Sequence, residues 1–205
     1  MDPAFSGKKV FMKLGPVRRA LAAACILPLL LAGCSDAAPT PEIPDPTTSS
    51  PSPDETETGP VEPTLPPEAE GDGVEAAEAF VSYYFDLLTY AQATGDTSKL
   101  SNVAIEGCET CQGSLEAVRR TYEAGGSISG GAYEVTAIRA SEQGALPGGG
   151  SSFVGRVSVD HSRQVISGSK VDGLDGTYPA GTSEFDFAAV IQTSGDWQMA
   201  DWTLL

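Results

Sequence analysis

The chain has 205 residues, in which 28 Asp or Glu outnumber 12 Lys or Arg and give a formal net charge of −16. Binding to nucleic acid requires a cationic surface that releases counterions from the phosphates, so this balance excludes nucleic acid as an expected partner. The same charge favours solubility and repels anionic lipids and wall polymers.

The first 33 residues have the three parts of a secretory signal. Basic residues come first, followed by an apolar stretch over residues 20–32 and by small residues before Cys34. This stretch is shorter than the run of about 20 apolar residues that a transmembrane helix needs. Met12 begins a more compact version of the same signal, so either Met1 or Met12 is the true start. We therefore predict a signal peptide over residues 1–33.

Leu31, Ala32, Gly33 and Cys34 form the pattern by which bacteria mark an exported chain for lipid attachment. Cleavage before Cys34 would leave its thiol carrying a diacylglyceryl group. Two acyl chains anchor a protein stably, whereas a single chain does so only marginally. We expect a lipid-anchored protein on the extracytoplasmic face of the cell membrane, with the lipid on Cys34 as its membrane contact.

Residues 34–73 predict a disordered, acidic, Pro-rich linker. Between residues 35 and 73 the chain places ten of its fifteen prolines and ten Asp or Glu residues, with no Lys or Arg. Such a segment buries too little apolar surface to offset the entropy lost on ordering. An alternative reading is that the Pro-rich tract is a docking ligand for a partner.

Residues 74–205 have the size of a single domain, and its first part predicts three helices. Asp72 and Glu75 have the spacing of a capping box, and Gly95 would end the first helix. Residues 96–103 could hold a short second helix and residues 109–124 a third. The first helix shows apolar residues at intervals of three or four, namely Ala76, Phe80, Tyr84, Leu87, Leu88 and Ala91.

After residue 126 the period changes to two, and four segments predict strands: 133–139, 153–166, 184–193 and 197–204. Ser194, Gly195 and Asp196 form a short turn, so the last two strands should pair as a hairpin. Strict alternation places Trp197 and Trp202 on opposite faces of the last strand. We predict an α+β fold in which the N-terminal helices pack on a bent, antiparallel, four-stranded sheet.

Two Gly-rich segments, 144–152 and 167–182, are expected to be connections. Asp172 and Asp175 in the second of them invite a calcium reading. Their spacing fails the pattern of alternating acids that a twelve-residue calcium loop requires. We expect a turn there and no metal.

Four segments of the domain carry a resemblance to a known family: EAAEAFVSYYFDLLTYAQATGD, CETC, YEAGGSISGGAYEV and WQMADW. Together they resemble actinobacterial lipoproteins with an extracytoplasmic domain of uncharacterised function. The resemblance implies a cone-like fold similar to nuclear transport factor two. That fold hosts enzymes, binding proteins and accessory modules alike, and many of its members form homodimers.

Cys108 and Cys111 are the only free thiols left once Cys34 is lipidated and Cys25 is removed with the leader. An oxidising compartment favours their pairing, so we predict an intramolecular disulfide. A C-x-x-C pair at a helix N-terminus also suits a thiol oxidoreductase, which stays open as an alternative. A zinc site needs four ligands, and only His161 is available beyond the pair.

His161 is the only histidine, and strand alternation places it on the inward face with Phe153, Val157 and Val159. In a cone-like fold the concave sheet surface is where a general base would lie. The resemblance implies carboxylate and hydroxyl partners for such a base. The candidates are Asp160, Asp186, Tyr83 and Tyr84.

We therefore expect a lipid-anchored protein that displays a binding or assembly domain at the cell envelope, with an envelope protein or a small ligand as partner and no cofactor. The first rival is an enzyme of the ketosteroid-isomerase-like type that uses His161 and an Asp. The second is an exported thiol oxidoreductase. A deep pocket lined by His161 and an Asp would favour the enzyme, and a filled interior would favour an interaction surface.

Overall fold

The computed structural model describes residues 59–205. The signal peptide, both candidate starts, Cys34 and the linker up to residue 58 lie outside the described residues. A short 3-10 helix over Pro67–Ala69 comes first in the described part, and three α-helices follow it, namely α1 (Val74–Thr94), α2 (Ser98–Asn102) and α3 (Glu109–Glu123). Between residues 59 and 205, no helix combines the length and the hydropathy needed to cross a membrane.

Seven strands follow the helices in the described part: β1 (Ser127–Gly130), β2 (Tyr133–Ala145), β3 (Ser151–His161), β4 (Gln164–Ser167), β5 (Gly176–Tyr178), β6 (Gly181–Ile191) and β7 (Trp197–Leu204). The main sheet is antiparallel and has the order β2-β3-β6-β7. A smaller antiparallel sheet has the order β1-β4-β5. The predicted α+β fold with helices before a four-stranded antiparallel sheet is confirmed.

The ends of α1 follow the predicted signals only in part. Gly95 ends the helix in the left-handed conformation, at φ 81°, as expected. The predicted capping box is wrong, because the N-cap is Gly73 and no side chain caps the first turn. Asp72 is exposed and precedes the N-cap by one residue, and its side chain caps none of the free backbone amides in the first turn of α1.

The predicted single strand over residues 153–166 is two strands. β3 ends at His161, the chain turns at Ser162 and Arg163, and β4 continues in the smaller sheet. β1 and β5 were not predicted, and β5 lies inside one of the expected Gly-rich connections. Strands of three or four residues show too little alternation to be recognised from sequence.

The core lies between α1 and the main sheet. Helix α1 contributes five large side chains that are at most 1% exposed, namely Phe80, Tyr84, Phe85, Leu87 and Leu88. The sheet contributes Phe153, Val157, Val159 and Met199, none of them exposed. The side chains of Thr89 and Glu78 on α1 also accept hydrogen bonds from the edge amides of Tyr133 and Ala140, at 3.0 and 2.9 Å. The space that a hollow cone would leave is therefore largely filled.

Bulges in both outer strands of the main sheet reset which residues face the core. In β7, Met199 pairs with Ala189 and Asp201 pairs with Ala188, so Ala200 is an extra residue. As a result Trp197 and Trp202 are both buried. The expectation that they lie on opposite faces is wrong, because one extra residue inverts the alternation.

Residues 59–73, which we call the N-terminal strap, pack on the domain. Ala69 is only 1% exposed, and its carbonyl oxygen accepts a hydrogen bond from Trp197 Nε1 at 3.0 Å. Lys99 Nζ lies 2.9 Å from Glu62 Oε2 and donates to the carbonyl oxygen of Pro63 at 3.0 Å. The folded domain thus begins before residue 74, and the predicted linker boundary at residue 73 is too late. Amino-acid composition could not predict that the strap is ordered, because contacts with residues distant in the chain hold it.

Candidate functional site

An open pocket of about 270 Å³ lies at the end of the main sheet where β3 ends and β6 begins. We call it the mouth pocket. Its aromatic lining comes from Tyr133, Phe185 and Trp202, and Tyr178 and Leu204 contribute exposed apolar side chains. Its polar side chains come from His161, Ser162, Gln164 and Ser183. The pocket therefore combines apolar surface with a small number of hydrogen-bonding groups, as small-molecule sites do.

His161 lies in the mouth pocket, half-buried and on the inward face of β3. Its Nε2 atom is 3.2 Å from the hydroxyl oxygen of Ser183, on the neighbouring strand β6. Its ring also packs edge-on against Tyr133, with centroids 6.4 Å apart. Ser183 could not be found from the sequence, because it lies 22 positions from His161 and reaches the ring only through the register of β3 with β6.

The two candidate carboxylates are not brought to His161. Asp160 is exposed on the opposite face of β3, where it accepts a hydrogen bond of 2.6 Å from the hydroxyl of Thr182. Asp186 is exposed on the outer face of β6, and its Oδ1 lies 3.2 Å from Arg156 Nε. Adjacent residues of a strand point to opposite faces, which separates Asp160 from His161. The structure therefore does not bring His161 together with either Asp of the rival, enzymatic hypothesis.

The two candidate tyrosines do not line the mouth pocket. Tyr84 is fully buried in the core beside Trp202, with ring centroids 6.4 Å apart. Burial raises the pKa of its phenol, and the neighbouring Trp202 indole lowers it by less. Tyr83 is buried beside the strap, at a separate concavity, and burial likewise raises its pKa. Neither phenol is placed to exchange a proton with His161.

A second, smaller cavity of about 150 Å³ adjoins the mouth pocket between α1, α3 and the smaller sheet. We call it the inner cavity. The two cavities share Tyr133, Gln164 and Trp202 as walls. Gln164 Nε2 donates a hydrogen bond of 3.0 Å to Gln92 Oε1 on α1. The only signal for Gln92 in the sequence is that a polar residue follows Ala91 of the apolar stripe.

A family model described as a "Family of unknown function (DUF6318)" matches residues 54–203. The chain belongs to this family. The match covers the strap together with all the helices and strands of the described residues. It agrees with the expected resemblance to a family of uncharacterised function. No curated protein matches the chain.

Solved structures show a distant likeness to this DUF6318 domain. The intermembrane space region of the chloroplast protein ARC6 is 12% identical, covers 65% of this chain and 96% of that chain, and has a TM-score of 0.45. An uncharacterised protein with a cystatin-like fold from Caulobacter vibrioides is 11% identical, covers 61% of this chain and 87% of that chain, and has a TM-score of 0.38. A periplasmic fragment of TraM is 12% identical, covers 62% of this chain and 93% of that chain, and has a TM-score of 0.35. Values this low carry no inference about activity.

The outer face of the main sheet carries a broad concavity of about 670 Å³, which charged side chains line, unlike the mouth pocket. Arg139, Arg156 and Asp186 lie in one row across three strands. The ion pair between Arg156 and Asp186 is more than half exposed on both sides, so it contributes little stability. This face is charged and open, whereas the mouth pocket offers a buried aromatic floor.

Cys108 and Cys111 lie at disulfide distance, with Cα atoms 5.2 Å apart. Cys108 is the N-cap of α3, and its sulfur accepts a hydrogen bond from the amide of Cys111 at 3.1 Å. Both residues are at most 1% exposed, so a second protein or a small disulfide cannot reach either sulfur without local opening. Across residues 59–205, no three His, Cys, Asp or Glu side chains converge as metal ligands would.

Proposed function

We propose that this protein is a lipid-anchored, extracytoplasmic binding protein whose mouth pocket is its binding site. The observation that carries the proposal is the contrast between the filled core under α1 and the open, aromatic mouth pocket, which no carboxylate lines. Within residues 59–205, the packed core between α1 and the main sheet leaves no reaction chamber over the inward face of that sheet. The mouth pocket instead offers exposed apolar side chains and hydrogen-bonding groups to a partner.

The anchoring part of the proposal rests on the sequence. The leader before Cys34 has the form of a lipoprotein signal, and the acidic segment after it would hold the domain away from anionic headgroups. The strap supports this arrangement, because it fastens the end of that segment to the domain through Ala69 and Lys99. The proposed location is the extracytoplasmic face of the cell membrane.

Binding is favoured over catalysis by what surrounds His161. A general base works best when a second group orients it and a proton donor or acceptor lies within reach. Within the described residues, the hydrogen-bond partner of the His161 ring is Ser183, and both candidate carboxylates lie on the outer face. His161 and Ser183 are therefore proposed as polar contacts for a bound molecule.

We also propose that Cys108 and Cys111 form a structural disulfide in the oxidising compartment outside the membrane. Its position at the start of α3 would hold the first turn of that helix against the loop that precedes it. Burial of both sulfurs favours this role over that of an exported thiol oxidoreductase, whose attacking thiolate has to be accessible.

The anchor is tested by cell fractionation of two cysteine variants. Cys34→Ala removes the acylated thiol, whereas Cys25→Ala changes a residue that is lost with the leader. We expect the wild type and Cys25→Ala to sediment with membranes and Cys34→Ala to be released. Membrane sedimentation of Cys34→Ala would contradict the anchor.

The binding site is tested by photocrosslinking in cells with p-benzoylphenylalanine at two adjacent positions. Leu204 is 62% exposed and lines the mouth pocket, whereas Thr203 is exposed on the outer face beside Asp186. We expect one reproducible adduct from position 204 and none from position 203. Its mass would distinguish a small ligand, an envelope protein and a second copy of this chain. Equal adducts from both positions would contradict a site at the mouth.

A further inference from the structure

The mouth pocket and the inner cavity share three wall residues, Tyr133, Gln164 and Trp202. We propose that the two form one site for a neutral amphiphile, with its polar head in the mouth pocket and an unbranched apolar tail in the inner cavity. This inference rests on the mouth pocket being the binding site proposed above. It adds the chemical class of the ligand and the direction in which the ligand lies.

The lining of the inner cavity is suited to an apolar tail. Helix α1, helix α3, the smaller sheet and the loop between β4 and β5 all contribute aliphatic side chains, namely Leu88, Val118, Ile128, Ile166 and Leu174. Its volume of about 150 Å³ is too small for a typical ligand alone. Joined to the mouth pocket it reaches the lower part of the usual range, which begins at about 300 Å³.

One residue of the shared wall, Gln164, is bound to α1 by a side-chain hydrogen bond. Its amide nitrogen donates to Oε1 of Gln92, which also lines the inner cavity. The hydroxyl of Tyr122 on α3 donates to the backbone carbonyl oxygen of Gln92 at 2.7 Å, which holds the two helices at a fixed separation. Rotation of the Gln164 amide would join the cavities without displacing a helix.

The shared wall also contains a buried donor that lacks an acceptor. Trp202 is 7% exposed, and neither its indole Nε1 nor the hydroxyl of the neighbouring Tyr84 forms a hydrogen bond of ordinary geometry among the described residues. A buried unpaired donor is costly and is uncommon in native proteins. A ligand oxygen bound beside Trp202 would supply an acceptor in competition with the hydroxyl of Tyr84, whose ring centroid lies 6.4 Å from that of Trp202.

The charge of the lining selects a neutral ligand. Neither cavity is lined by Asp, Glu, Lys or Arg. A charged head would enter without an opposite charge to pair with, and burying an unpaired charge is unfavourable. The chain as a whole has a net charge of −16, which further disfavours fatty acids and other anionic amphiphiles.

The test is calorimetric titration of the full chain, carrying Cys34→Ser to prevent acylation, with 1-alkanols from butanol to decanol. We expect the affinity to rise about fourfold for each methylene that enters the inner cavity, and then to stop rising when that cavity is full. Ala117→Leu and Ser114→Leu on α3 would fill the inner cavity. Both should abolish the dependence on chain length, so that decanol binds no more tightly than butanol.

Arg119→Leu is the matched control, because Arg119 lies on the exposed side of α3 and lines neither cavity. It should keep the dependence on chain length. Equal affinity for all alkanols would overturn the inner cavity as a tail site and leave binding at the mouth intact. An unchanged dependence in both filled variants would show adsorption elsewhere and would also overturn it. No binding by any alkanol would overturn the ligand class, while the photocrosslinking result would decide separately whether the mouth binds a partner.

Discussion

The indole Nε1 of Trp197 donates a buried hydrogen bond of 3.0 Å to the carbonyl oxygen of Ala69. The two residues are 128 positions apart, so the bond joins the last strand of the main sheet to the N-terminal strap. The Trp197 ring also stacks on Phe80 of α1, with centroids 5.5 Å apart. One side chain thus holds the strap, the first helix and the sheet together.

Trp197→Phe keeps an aromatic ring beside Phe80 but leaves the Ala69 carbonyl oxygen without its donor. We expect the free energy of unfolding, measured with urea, to fall by about 1–3 kcal/mol for the buried unpaired acceptor, in addition to the loss of ring volume. Trp202→Phe is the matched control, since the Trp202 indole has no hydrogen-bond partner among the described residues. A larger loss in Trp202→Phe than in Trp197→Phe would contradict the assigned role of the bond.

Two glycine substitutions should have opposite effects on stability. Gly95 has φ 81°, and a Cβ atom there would lie 2.6 Å from the Tyr122 ring. We expect Gly95→Ala to lower the free energy of unfolding by at least about 1–2 kcal/mol, the cost of the left-handed conformation alone. Gly113 is exposed inside α3 with no atom near the added methyl, so Gly113→Ala should raise it by about 0.5–1 kcal/mol. Thermal unfolding of both variants measures the difference, and a stabilising Gly95→Ala would refute the C-cap assignment.

The cysteine pair should behave as a structural disulfide. We expect iodoacetamide to modify neither Cys108 nor Cys111 in the native protein, and both after denaturation with reduction. The closed loop is short, so reduction should lower the free energy of unfolding by no more than about 2 kcal/mol. The reduction potential should lie below about −300 mV, whereas a value near −120 to −180 mV would indicate a thiol oxidoreductase. The double variant Cys108→Ser/Cys111→Ser should not respond to reductant.

Asp175 should make the stability of the domain depend on acid pH. The Ser169 hydroxyl, the Ser169 amide and the Gly168 amide donate to its carboxylate and hold its pKa below the ordinary value. A lowered pKa in the folded state stabilises the fold above the unfolded pKa of about 3.9, and this contribution disappears as the pH falls through the folded value. Asp175→Asn should therefore be less stable than the wild type at pH 7, and the gap should narrow below about pH 4.

Urea unfolding at pH 7, 5 and 3 measures this dependence. Asp172→Asn is the control, because Asp172 is exposed in the same loop and makes none of these hydrogen bonds. A gap between Asp175→Asn and wild type that stays constant down to pH 3 would show that the carboxylate charge is not what the loop uses.

The sequence predicted the parts of the fold that depend on short-range properties. The apolar stripe and Gly95 located α1, and the Ser194 to Asp196 turn located the hairpin of β6 and β7. Helical periodicity, a residue without a side chain and a tight turn each act within a few residues. Such features are visible in any window of the chain that contains them.

Of the candidate site, the sequence predicted only the position of His161 on the inward face of its strand. His161 was placed on the inward face because alternation within β3 is regular. Its neighbours were not predicted, since Ser183 reaches it through the pairing of β3 with β6 and Trp202 reaches the pocket through an extra residue in β7. Strand register and bulges are set by hydrogen bonds to segments distant in the chain.

The sequence by itself determined the α+β class, the acidic charge and the order of helices before strands, because these follow from composition and local periodicity. Only the tertiary structure decided that the strap belongs to the domain, that both tryptophans face inward, and that the two carboxylates lie away from His161. Each of those outcomes depends on which distant segments pair and in what register. A one-residue shift in that register moves a side chain from the core to solvent.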